Sequence, residues 1–325
     1  MQTLFAIPVT LTLIGGGQTL LAQDRAAPTV VQPPDVFARV ELLRAEIELV
    51  RGEIGAPRDQ RPEVTAKDVA TRENYFQALT LVQKARRLGE EFGEGDHAEF
   101  PTPPGYDHVR PADVLALVDA TLVRVRRVKQ RVGNIEECEP PPRDSGKTPS
   151  DVFRAIVQAN RQLDLLLDGG TTPTHVNEQL QLANEVARNL LGAFPRRATP
   201  ENPERKRRMR AADVHQSLAD CARQMHVVMT KSGLTMLTVD WNMKPEQVTP
   251  SDVYDLATVL VSELRYLESL APGTKGHPAT ARRVPGRKLP SENFRLAGLL
   301  GNQVRGLRKL VEARPGPLKF LDKPN

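Results

Sequence analysis

Cysteine is nearly missing. Cys138 and Cys221 are the only two in 325 residues. That excludes a disulfide scaffold, and their spacing excludes zinc and haem-attachment sites. Aromatic residues make up only 4% of the chain, so no basic stretch is interleaved with stacking side chains as nucleic-acid surfaces usually are. No nucleophile elbow, P-loop, dinucleotide fingerprint or His-Glu-x-x-His is present, and no cofactor is implied. Alternation with period two is also lacking. Leu234 to Trp241 is the one stretch where a short strand or apolar loop could sit. Beyond residue 22 no run is long and apolar enough to cross a membrane.

Proline, by contrast, is plentiful, and 27 of them punctuate the chain. The phrase Thr148-Pro149-Ser150-Asp151-Val152 returns as Thr249-Pro250-Ser251-Asp252-Val253. Looser copies surround Asp35, Asp113 and Asp213, and weaker ones surround Asp68, His175 and Glu292. The phrase is a helix start signal. Thr caps the helix, Pro sits where its missing N–H costs nothing, and Asp at N3 closes a capping box at the positive end of the dipole. The following valine, at N4, is placed to staple to an apolar N′ residue such as Val31, Val64, Val109, Met209 or Val248.

Behind each start signal runs helical spacing. The first helix is expected over 34–54, with Val36, Val40, Leu43, Ile47, Val50 and Ile54 on a heptad seam. The others are expected over 66–92, 111–132, 149–167 and 173–194, and from 211, 250 and 290 onward. Gly298, Gly301 and Gly306 weaken the last helix by about 1 kcal/mol each against alanine. The fold class is therefore all-α, with about eight long antiparallel helices. They make two up-down four-helix bundles, 34–168 and 172–314, or one array of helical hairpins. A solenoid of helix pairs is the second choice. Residues 23–33 form a Pro-rich lead and 315–325 a tail.

Residues 1–22 resemble a secretory signal peptide, apolar from Leu4 to Leu21. They depart from the pattern in having no Lys or Arg before the apolar run and Leu20 at the −3 position. The expected location is periplasmic or secreted. In that setting a Cys138–Cys221 disulfide would tie the two halves together.

Charge collects in the connections. The one between the fifth and sixth helices carries Arg196, Arg197, Arg205, Lys206, Arg207, Arg208 and Arg210 against Glu201 and Glu204. The one between the seventh and eighth adds Lys275, Arg282, Arg283, Arg287 and Lys288 without an acid. In an up-down bundle these two connections share one end. Arg205, Lys206, Arg207, Arg208, Arg282 and Arg283 would then face an anionic partner such as lipid headgroups or an envelope polymer. The connection between the second and third helices holds Asp96, His97, Asp107 and His108, weak candidates for a divalent metal, and their spacing matches no known site.

The reading is an exported, non-catalytic bundle protein that binds or scaffolds in the cell envelope. The rival is a ligand- or metal-binding sensor-type bundle, which an internal cavity lined by polar side chains would favour. A hydrolytic or redox enzyme with a dispersed active site is the third reading.

Overall fold

The chain is described by a computed structural model over residues 30–95, 105–106, 108–193, 203–204, 206–241, 243–271 and 280–313. Eight α-helices lie within these residues: α1 Pro33–Ile54, α2 Thr71–Glu91, α3 Pro111–Arg131, α4 Pro149–Leu166, α5 Pro173–Gly192, α6 Ala211–Lys231, α7 Pro250–Leu270 and α8 Pro290–Ala313. Two three-residue strands, β1 Thr65–Lys67 and β2 Thr238–Asp240, accompany them. All belong to one unit, Val31–Asn325. The Leu234–Trp241 stretch thus holds a strand. It pairs antiparallel with residues that the sequence assigns to the start of the second helix, Ala66 standing opposite Val239.

That displaced start has a local cause. Asp68 follows β1 with φ +57°, in the left-handed region, so no helix can run through it. The helix begins at Thr71, with Glu73 at N3. With that shift every helix has the same N-terminal device. The N3 side chain accepts a hydrogen bond from the N-cap backbone N–H at 2.7 to 3.0 Å, and the acceptors are Asp35, Glu73, Asp113, Asp151, His175, Asp213, Asp252 and Glu292. Only Thr148 and Thr249 complete the box by accepting the N3 N–H, at 3.4 Å. The N4 valines of α1, α3, α4, α5, α6 and α7 are all buried.

Within each bundle the helices run parallel, and the up-down arrangement expected from the sequence does not form. Pro33, Thr71, Pro111 and Pro149, the first residues of α1 to α4, line one small apolar recess. Asn74 near the start of α2 donates to the carbonyl of Pro149 at 3.1 Å, and Asn134 just past α3 donates to Glu53 at the end of α1 at 2.8 Å. In the second bundle Asn293 donates to the carbonyl of Pro173 at 2.7 Å, and Lys231 meets Glu312 at the far ends of α6 and α8. The reason lies in the connections. Six of the seven hold 16 to 19 residues between helix bounds. That length spans roughly 55 Å when extended, more than enough to retrace a helix of about 30 Å. Leu167–Thr172, six residues, is too short to return. The second bundle therefore starts where the first ends and runs the other way. α2 lies antiparallel on α7, joined by Arg72–Glu263, Gln77 to the Asp255 carbonyl, and Lys84–Ser251.

Parallel helices stack their dipoles with like ends together, which raises the value of a carboxylate at each N-terminus. This accounts for the recurrence of the start phrase. The two bundles also share one plan. Around each, neighbours follow the order α1–α3–α2–α4 and α5–α7–α6–α8. Asp35 and His175 lie 140 residues apart, Glu73 and Asp213 140, Asp113 and Asp252 139, Asp151 and Glu292 141.

Candidate functional site

A buried ionic junction holds the bundles together. Asp252, the N3 residue of α7, is fully buried. One of its oxygens caps Thr249, while the other lies 3.2 Å from Arg61 and 3.5 Å from Arg161. The sequence assigns Asp252 a capping role alone. Its copy Asp151 caps Thr148 in the same way and pairs with the half-buried Arg154 of its own helix. Lys84, on α2, is buried and donates to the Asn160 carbonyl and to Ser251, both at 3.0 Å, with Asp164 at 3.5 Å. Burial works against the Asp164 carboxylate, but Lys84, the Thr171 hydroxyl and Arg61 outweigh it and hold its pKa below the usual value. Asp255 has the attraction of Lys84 and Arg161 but no hydroxyl to bind it. Neither of its oxygens accepts a hydrogen bond among the described residues. Burial raises its pKa to about 6 against the pull of Lys84.

Beside this junction opens a pocket of about 630 Å³. The C-terminal half of α2 lines it with Thr80, Gln83, Lys84, Arg86 and Arg87, and the start of α5 contributes His175. Tyr254 of α7 and Arg283 of the α7–α8 connection close it. Its carboxylates are engaged: Glu90 pairs with Arg86 at 3.4 Å, Glu91 accepts the Asp168 N–H at 3.0 Å, and Glu178 accepts the Val284 N–H at 2.9 Å.

His175 departs from the repeat. Seven helices carry Asp or Glu at N3, and α5 carries His. Its Nδ1 accepts the Thr172 N–H at 3.0 Å, so the cap is kept without a negative charge. The ring proton then resides on Nε2. Burial, then the charges of Arg87, Lys84 and Arg283, pushes the His175 pKa down to about 4, which leaves the imidazole neutral at neutral pH.

A second cavity of about 400 Å³ lies between α1, α4 and the α1–α2 connection. Its arginines are paired in place: Arg51 and Arg58 share Glu48, and Arg61 holds Asp59. A second buried cluster brings Glu73 and Glu263 together at Arg72, which pairs with them at 2.8 and 3.1 Å.

Of the residues marked in the sequence, Arg283 alone enters the large pocket, and Arg282 lines a shallow recess beside Glu178 and Glu185. Lys206 stands over the Phe294 ring at 5.5 Å, Arg207 and Arg208 are exposed, and Arg205 lies outside the described residues. Both basic connections do reach the N-terminal face of the second bundle, where Met209 donates to Ser291 and Lys288 to Thr174. They arrive there because every connection within a bundle returns to that face, not because alternate connections share an end. Asp96, His97 and Asp107 lie outside the described residues, and His108 is exposed just before α3. The expected disulfide does not form. Cys138 and Cys221 are free thiols, Cys138 beside Glu46 and Lys129 in the first bundle and Cys221 buried on α6 in the second. Lys84 and Arg87 carried no mark in the sequence, and His175 was marked as a helix start and not as a binding residue. The one signal available was His in place of acid at N3. Compared with protein families, curated proteins and solved structures, the chain matches none.

Proposed function

We propose that the chain is a non-catalytic binding protein that holds a small anionic ligand in the pocket between its bundles. The observation that carries this is His175. At the helix start that lines the pocket beside Arg87 and Arg283, the recurring carboxylate is replaced by a neutral cap. A carboxylate there would neutralise the cations and repel an anion. This favours the ligand-binding sensor-type reading over a purely surface-binding one. The test is calorimetric titration of the full chain with inorganic phosphate at low ionic strength. His175→Asp restores the residue type of the other helix starts, so folding is kept. Its phosphate affinity is expected to fall about tenfold or more. Equal affinity in both proteins, or no saturable binding in either, refutes the reading.

A second reading has one observation of its own. Lys206, Arg207, Arg208 and Arg282 approach the same face of the second bundle as Arg283, and a face of that charge suits an anionic envelope surface. Export is part of this proposal, and N-terminal sequencing of the protein from its own cells tests it. Vesicle binding that is unchanged after these residues become Ser refutes it.

A further inference from the structure

We infer that the pocket's ligand is a phosphate monoester carried on a hydroxyl-rich body, of the sugar-phosphate class. The inference rests on the anion-binding reading above and follows from which donors remain free. Lys84 has three N–H bonds, and Asn160, Ser251 and Asp164 face all three, so it supplies charge but no direct bond. Among the described residues Arg87 gives one N–H to the Gly170 carbonyl at 2.8 Å and keeps the rest of its guanidinium fork. His175 offers Nε2–H, its Nδ1 being held by Thr172. Arg283 arrives from a connection pinned to α5, where the Val284 N–H meets Glu178. Donors thus come from α2, from α5 and from the α7–α8 connection. A planar carboxylate is satisfied by one guanidinium fork, whereas a tetrahedral phosphate accepts bonds from several directions.

The volume decides the rest. About 630 Å³ is the size of a pocket for a whole small molecule, not for a bare ion. Away from the cations the wall holds Thr80, Gln83, Tyr254 and Thr280, with the Glu178 carboxylate, which accepts the Val284 N–H, beside them. Gln83 Oε1 accepts the Tyr254 hydroxyl at 3.0 Å, which turns the Gln83 amide N–H groups toward other acceptors. These are partners for hydroxyl groups. Among the described lining residues the Tyr254 phenol and the His175 imidazole are the aromatic rings, and with His175 given to the phosphate one ring is left, too little to sandwich a nucleobase.

The experiment titrates the full chain with glucose 6-phosphate, glucuronate, inorganic phosphate and glucose. Glucose 6-phosphate is expected to bind about tenfold or more tightly than glucuronate and than inorganic phosphate, with glucose weakest. Arg283→Ala, on an exposed connection where folding is not at risk, is expected to weaken glucose 6-phosphate about tenfold. Glucuronate binding as tightly as glucose 6-phosphate overturns the phosphate assignment and leaves the anion pocket standing. Inorganic phosphate binding as tightly as the ester overturns the assignment of a body. Binding by none of the anions removes the anion-binding reading itself. Sedimentation with phosphatidic-acid vesicles that glucose 6-phosphate does not displace overturns a soluble ester in favour of a lipid phosphate.

Discussion

Asp255→Asn should make the protein more stable at neutral pH while removing a charge that faces two cations. Asp255 is fully buried beside Lys84, Asp252, Arg161 and Asp164, and neither carboxylate oxygen is hydrogen-bonded among the described residues. Burial outweighs the attraction of Lys84 and Arg161 and lifts the pKa from 3.8 to about 6. The folded state then holds a proton that the unfolded chain has released. Stability from this group is full below about pH 4, is lost as pH rises toward 6, and falls no further above that. A shift of about two units at 1.36 kcal/mol each corresponds to a loss of about 3 kcal/mol. Asparagine is neutral throughout and escapes the loss. The assay is urea unfolding of both proteins from pH 4 to 8, followed by circular dichroism and by the fluorescence of Trp241, the single buried tryptophan. Coincident transitions license the two-state treatment. The stability of the variant minus that of the parent should rise by about 3 kcal/mol between pH 4 and pH 8. Subtracting the pH 4 value cancels any fixed effect of replacing an oxygen by an NH₂ group. A difference that is flat with pH, or that falls, refutes the account of Asp255.

Three further outcomes follow from the same geometry. Glu263, held well above its usual pKa by burial and by Glu73, also loses stability as pH rises above the normal Glu range, so Glu263→Gln should flatten the fall in melting temperature between pH 5 and pH 8. An unchanged slope counts against a raised pKa at Glu263. The two copies of the start phrase should respond differently: Asp252→Asn breaks the buried pairing with Arg61 and Arg161 and should cost about 3–5 kcal/mol, while Asp151→Asn should cost under about 1 kcal/mol, both read from denaturant midpoints. Native alkylation followed by mass spectrometry should label the partly exposed Cys138 and spare Cys221, whose thiol is pushed up to about 12 by burial; a native mass two hydrogens lower would show a disulfide instead.

The sequence by itself determined the helices and their starts. Local chemistry suffices for that: an acid or His at N3 satisfies the N-cap N–H within three residues, and a 3.6-residue spacing defines one buried stripe. It misplaced one start, because Ala66-Lys67-Asp68-Val69 has the residue types of the phrase while its backbone is committed to a strand with Thr238–Asp240, a partner 171 to 175 residues away by the paired positions. Helix direction was written in the connection lengths, long enough to retrace a helix everywhere except at Leu167–Thr172. Tertiary structure alone decided the site. Asp151 and Asp252 have identical neighbours in sequence, yet one stays partly exposed beside Arg154 and the other is buried between Arg61 and Arg161, since the start of α7 lies in the junction between the bundles and the start of α4 does not. Likewise His175, Arg87 and Arg283 belong to three elements that nothing local connects. Their meaning as one pocket arises when antiparallel packing sets the end of α2 beside the start of α5, a long-range arrangement that no short window of sequence encodes.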